Sequence, residues 1–86
     1  MGRRLTFTTQ AWEDYIYWQG HDKQLLKKLN QLLKDCQRDP LSGIGKPEPL
    51  KGDLSGAWSR RINDEHRLVY IVHDEEIRAS SCRYHY

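Results

Sequence analysis

The chain has 86 residues, 37% of them hydrophobic, and a mean hydropathy of -0.90, which leaves room for one small domain with a thin core and none for a second. No apolar run is long enough to span a membrane, and Cys36 and Cys82, far apart in the chain, read as thiols of a reducing, cytosolic compartment rather than as a disulfide framework. The net charge of +2 does not by itself mark a nucleic-acid binder; from Ile44 onward seven Lys/Arg balance seven Asp/Glu, so any basic surface near the motifs has to be assembled by folding.

Leu5 and Phe7 alternate with Arg4, Thr6 and Thr8, the period of a half-buried strand. Thr9 is the expected N-cap of a first helix carrying Ala11, Trp12, Tyr15, Ile16 and Trp18, and Gly20 is expected to end it in a left-handed cap. Asp22 caps a second helix whose apolar stripe is Leu25, Leu26, Leu29, Leu32, Leu33 and Cys36. Asp39-Pro40 closes that helix, because a residue before proline is pushed out of the α region. From Leu41 to Gly56, glycine and proline spacing predicts an ordered connector with Glu48 held between Pro47 and Pro49.

Three strands are predicted at 57–62, 67–72 and 77–82, joined by short polar turns into an antiparallel meander. Leu68, Tyr70 and Val72 share one face of the middle strand and meet the helices, while Arg67, Val69 and Ile71 share the other, onto which Arg61 projects if the strands pair in register. The expected fold is α+β, two N-terminal helices packed on an antiparallel sheet over residues 1–86. Its thin core and many aromatics favour a homodimer.

The stretch from Gly45 to Tyr70, with the last residues of the chain, supplies a base, an acid and several cations. Cleaving RNA without a metal requires a base for the 2′-hydroxyl proton, cations for the phosphate and an acid for the leaving 5′-oxygen. Glu48 is the candidate base, Arg67 and Arg61 the phosphate clamp and His85 the acid, with Lys46, Lys51 and Arg83 drawing RNA in. Tyr84 and Tyr86 offer faces on which unstacked bases can lie. His21, His66, His73 and His85 with the two cysteines lack the close pair spacing of zinc sites, so neither a metal nor another cofactor is expected. Cys36, on the helix stripe, and Cys82, on a strand, make poor nucleophiles.

Four runs carry a resemblance: GKPEPLK at 45–51, LSG at 54–56 with WSRRI at 58–62, EHRLVY at 65–70, and CRYHY at 82–86. Together they resemble the YoeB (Txe) toxins of the RelE superfamily, ribosome-dependent mRNA interferases of bacterial toxin–antitoxin modules. The resemblance implies a microbial-RNase-like sheet with two helices on one face and the active site on the other. It implies Glu48 as general base, His85 as general acid and Arg67 as phosphate stabiliser, with Lys51, Arg61 and Tyr86 at further active-site positions. It implies mRNA in the A site of the 70S ribosome as substrate, a 2′,3′-cyclic phosphate or the 3′-phosphate it opens to as product, and a YefM-type antitoxin as partner. Toxins of the same fold that bind DNA gyrase without cutting RNA are the rival reading, since fold alone does not fix function.

Overall fold

A computed structural model describes residues 2–84. Its first helix begins one residue earlier than the sequence suggests. Thr8, in extended backbone, ends strand β1 (Arg4–Phe7), and its hydroxyl accepts from the Ala11 N–H to cap α1 (Thr9–His21). The same hydroxyl donates to the Ser80 carbonyl, so helix and sheet are joined at the cap. Gly20 is not a left-handed cap: α1 runs on through His21 and is stopped by extended Asp22, whose N–H reaches the Trp18 carbonyl. The Asp22 carboxylate accepts from the Leu25 N–H and starts α2 (Lys23–Arg38). One residue thus ends one helix and begins the next, and no glycine conformation is required.

The connector contains a sheet element that sequence periodicity did not show, β2 (Glu48–Pro49), followed by a 3-10 turn at Gly52–Leu54. It lies on the edge of a meander formed by β3 (Ala57–Arg61), β4 (Arg67–Val72) and β5 (Glu76–Ser81). The sheet order is β1-β5-β4-β3-β2. The sheet is mixed rather than wholly antiparallel, because β1 joins β5 in parallel. Almost the whole chain separates those two strands, which supplies the long connection that a parallel pair needs.

One face of the sheet meets the helices. Leu25, Leu29, Leu32, Leu33 and Cys36 of α2 and Ala11 and Trp18 of α1 bury against Leu68, Tyr70, Ile77 and Ala79. A smaller cluster of Leu50, Ala57 and Val69, with Ile71 beside it, lies on the opposite face and includes no helical residue. The alternation of β4 produces this division directly.

The core also encloses a charge. Arg60 projects to the helix side of β3 and is fully buried. Its Nε donates to Tyr70 Oη (3.1 Å), one terminal nitrogen to Asp35 Oδ2 (2.6 Å) and the Ile44 carbonyl (3.1 Å), and the other to the Asp39 (2.6 Å) and Ser42 (2.9 Å) carbonyls. All of its N–H groups are therefore used. Asp35 also accepts from Arg38 and from the Ile44 N–H. Burial raises the Asp35 pKa, but the hydrogen bonds from Arg38, Arg60 and Ile44 outweigh it and hold the carboxyl at about 2. Burial pushes the Tyr70 phenol up to about 12, which keeps it a donor to the Pro40 carbonyl at 2.6 Å. Two tight glycines complete the clasp: a Cβ at Gly43 would run into the Asp35 carboxylate, and one at Gly45 (φ 82) would lie 2.6 Å from Leu32 Cδ2.

Removing Arg60 takes the buried donor from Tyr70 Oη and from the Asp39, Ser42 and Ile44 carbonyls and releases the connector, so Arg60→Ala is expected to cost about 3–5 kcal/mol in urea unfolding. Arg60→Lys should recover little of that, because an ammonium cannot reproduce the planar fork. Asp35 gives a pH signature. Its folded pKa lies below the usual 3.8, so its contribution, about 2 kcal/mol, is present above that value and is lost as pH falls towards 2. The gap in thermal midpoint between wild type and Asp35→Asn should therefore narrow between pH 5 and pH 2.

Candidate active site on the open face of the sheet

The face turned away from the helices gathers charge because of strand register. Arg61 of β3 pairs directly with Arg67 of β4, and Ser59 pairs with both Glu48 of β2 and Val69 of β4. Directly opposed residues share a sheet face. Glu48, Ser59 and Val69 therefore form one transverse row and the two arginines the next row of the same face. Glu48 is one strand from Arg61, ~4.8 Å across and two residues or ~6.8 Å along, within reach of their side chains. The cluster of Leu50, Ala57, Val69 and Ile71 forms the apolar floor beside them.

Glu48 owes its place to the connector. Pro49 holds it extended, Leu50 N–H donates to the Ala57 carbonyl at 2.9 Å, and the Gly45 carbonyl accepts from Arg61 N–H at 2.7 Å. Lys46, between Gly45 and Pro47, takes a left-handed backbone (φ 52) and is exposed; Lys51, exposed, precedes the 3-10 turn. Arg67 is steadied by its own strand entry, one terminal nitrogen donating to the Asn63 (2.6 Å) and His66 (3.1 Å) carbonyls. Arg61 forms a surface pair with Asp64 at 2.8 Å, an arrangement weak enough to yield to a stronger anion.

The segment beyond β5 reaches the same end of the sheet. A bulge interrupts β5 opposite Val69 and Tyr70, Ser81 pairs with Val69 beyond it, and the Cys82 N–H then donates to buried Asp14 Oδ2 at 3.0 Å while the Trp18 indole donates to the Cys82 carbonyl at 2.9 Å. The Arg83 guanidinium lies 3.6 Å over the Tyr17 ring and 4.8 Å from that of Tyr84, in cation–π contact with both. Tyr84 is exposed, and its carbonyl accepts from the Arg67 N–H at 3.1 Å. His85 and Tyr86 lie outside the described residues.

Carboxylate, paired guanidiniums and flanking lysines can together accept a proton and bind an anion. Among the described residues, no group of three or more His, Cys, Asp or Glu could hold a metal ion. Burial pushes the Cys36 thiol up to about 11, and burial with the Asp14 charge pushes Cys82 to about 12, so neither is a ready thiolate. Four working residues escaped the sequence reading: Asp14, Asp35, Arg60 and His66. For Arg60 and His66 the signal was present, since strand alternation sets both on the helix side, where an ionisable group needs a partner.

Residues 7–86 match the family described as YoeB-like toxin of bacterial type II toxin–antitoxin system. Toxin YoeB of Escherichia coli strain K12 is 55% identical over 83 residues, 96% of this chain and 99% of that protein. The solved YoeB dimer of Staphylococcus aureus superposes with a TM-score of 0.91 at 55% identity over 100% of both chains. The toxin of the heterotetrameric YoeB–YefM complex from the same organism gives 0.89 at 55% identity, again over 100% of both chains.

Proposed function

The chain belongs to the YoeB-like toxins of bacterial type II toxin–antitoxin systems, and we propose that it is an endoribonuclease that cuts mRNA in the ribosomal A site without a metal. The observation that carries the reading is the register that sets Glu48 one row from Arg61 and Arg67 on the face left open by the helices. Glu48 takes the 2′-hydroxyl proton, and the freed oxygen attacks the adjacent phosphorus. Arg67, with Arg61 and Lys51, stabilises the growing negative charge. His85 gives its proton to the departing 5′-oxygen. One fragment ends in a 2′,3′-cyclic phosphate and the other begins with a 5′-hydroxyl, so atoms and protons balance without an external oxidant or cofactor. Tyr86 and Tyr84 act around this centre by packing on bases, and Lys46 adds charge at its rim.

The face is open, so a small protein with this site holds free RNA weakly, and the ribosome supplies much of the substrate alignment. The toxin is held in check by a YefM-type antitoxin and pairs with a second copy of itself. Support comes from the assemblies of the Staphylococcus aureus relatives and from Trp12 and Ile16, which stand about half exposed on α1 (51% and 46%).

The test is 5′-end mapping of a message programmed on ribosomes. Cuts are expected within the A-site codon, reduced about 10²- to 10⁴-fold in Glu48→Gln and in His85→Ala. Wild-type cleavage by both variants would refute the assigned roles. Equal cutting of naked and ribosome-bound message would refute the ribosome's part, and a protein that cut neither but blocked gyrase supercoiling would be a binding toxin.

A further inference from the structure

Tyr84 has a backbone φ of 64, a conformation that a bulky L-residue adopts only where its surroundings impose it. Those surroundings are on two sides. On one, the Cys82 backbone is held by Asp14 and Trp18 of α1, and Arg83 is stacked on Tyr17. On the other, the Tyr84 N–H donates to His66 Nδ1 at 2.7 Å and the Tyr84 carbonyl accepts from the Arg67 N–H.

His66 is the residue that joins the two sides. It is 6% exposed, its ring meets Trp18 edge-on at 4.7 Å and that of Tyr84 at 5.2 Å, and Glu65 stands 3.6 Å from its Nε2. A backbone N–H can only donate, so Nδ1 presents a lone pair to it and the ring proton sits on Nε2. His66 is also the immediate neighbour of Arg67, whose guanidinium rests on the His66 carbonyl. One residue thus sets both the attitude of the phosphate-binding arginine and the backbone conformation of Tyr84.

We propose that His66 is a positioning residue for RNA cleavage: its Nδ1 locks Tyr84, the residue that precedes His85 in the sequence, in the left-handed conformation beside Arg67. The inference rests on the function proposed above. It requires the imidazole as a hydrogen-bond acceptor, with no proton transfer to or from substrate.

Two substitutions separate this role from simple packing. His66→Phe keeps a ring against Trp18 but has no acceptor, whereas His66→Asn places Oδ1 where Nδ1 stands and gives up the ring. Two readouts are taken, single-codon cleavage on programmed ribosomes and NMR hydrogen exchange of the Tyr84 amide in the free toxin. His66→Phe is expected to keep the wild-type thermal midpoint, to lose Tyr84 protection, and to lower kcat about 100-fold with KM little changed. His66→Asn should restore the protection and at least about a tenth of wild-type kcat. Wild-type kcat in His66→Phe, or an equal loss in both variants that follows their stability, would overturn the proposal. Were the wild-type protein to cut no RNA, the functional reading would fall. The exchange data would still decide the latch, since Tyr84 protection unaltered by His66→Phe refutes it.

Discussion

A single buried guanidinium organises this protein. Arg60 ties three parts of the chain together at one point: the end of α2 through Asp35, residues 39–44 through three carbonyls, and the sheet through Tyr70. A charge without water is tolerable only when every donor is matched and a counter-charge is near. That demand fixes the path of residues 39–44, because their carbonyls must turn inward to meet it. The connector then leaves the core at Gly45 already aligned with β3, and Glu48 reaches the sheet edge as a consequence. An interaction on one face of the sheet therefore sets the position of a side chain on the other.

The helices likewise serve the opposite face. α1 packs its apolar stripe into the core, yet Asp14, Tyr17 and Trp18 each take hold of the segment after β5. A bulge in β5 immediately precedes this exchange: beyond it Ser81 still pairs with Val69, and the next residue, Cys82, gives its N–H and carbonyl to α1. In so thin a core, residues that would otherwise only fill space also hold residues 82–84 in place beside Arg67.

Much of this is legible in the sequence. The meander can be read from strict alternation, and its register on Arg61 and Arg67 follows once the short turn at residues 63–66 is recognised. The stripe of α2 and its Asp22 cap are equally plain. Other features depend on partners remote in sequence and so leave no local pattern. The parallel pairing of β1 with β5 links opposite ends of the chain, and β2 is a strand only because β3 lies beside it. The Thr8 cap and the helical Gly20 show that a cap is chosen by the geometry around it. Arg83, read from the motif as an RNA contact, is found stacked on a tyrosine that is 66 positions earlier in the chain. The family likeness brought Glu48, Arg67 and His85 together as a set, which residue spacing alone could not do.

The margin of the sheet that carries Glu48 has a further property. Pro47 and Pro49 have no N–H to offer, and β2 is only two residues long, so a foreign strand would find almost no ladder to extend there. An open, charged, five-stranded sheet is otherwise exposed to edge-to-edge association, the route by which small β-rich proteins form fibrils. The same two prolines that confine the Glu48 backbone thus also leave that edge a poor template for strand addition, without covering the charged face beside it.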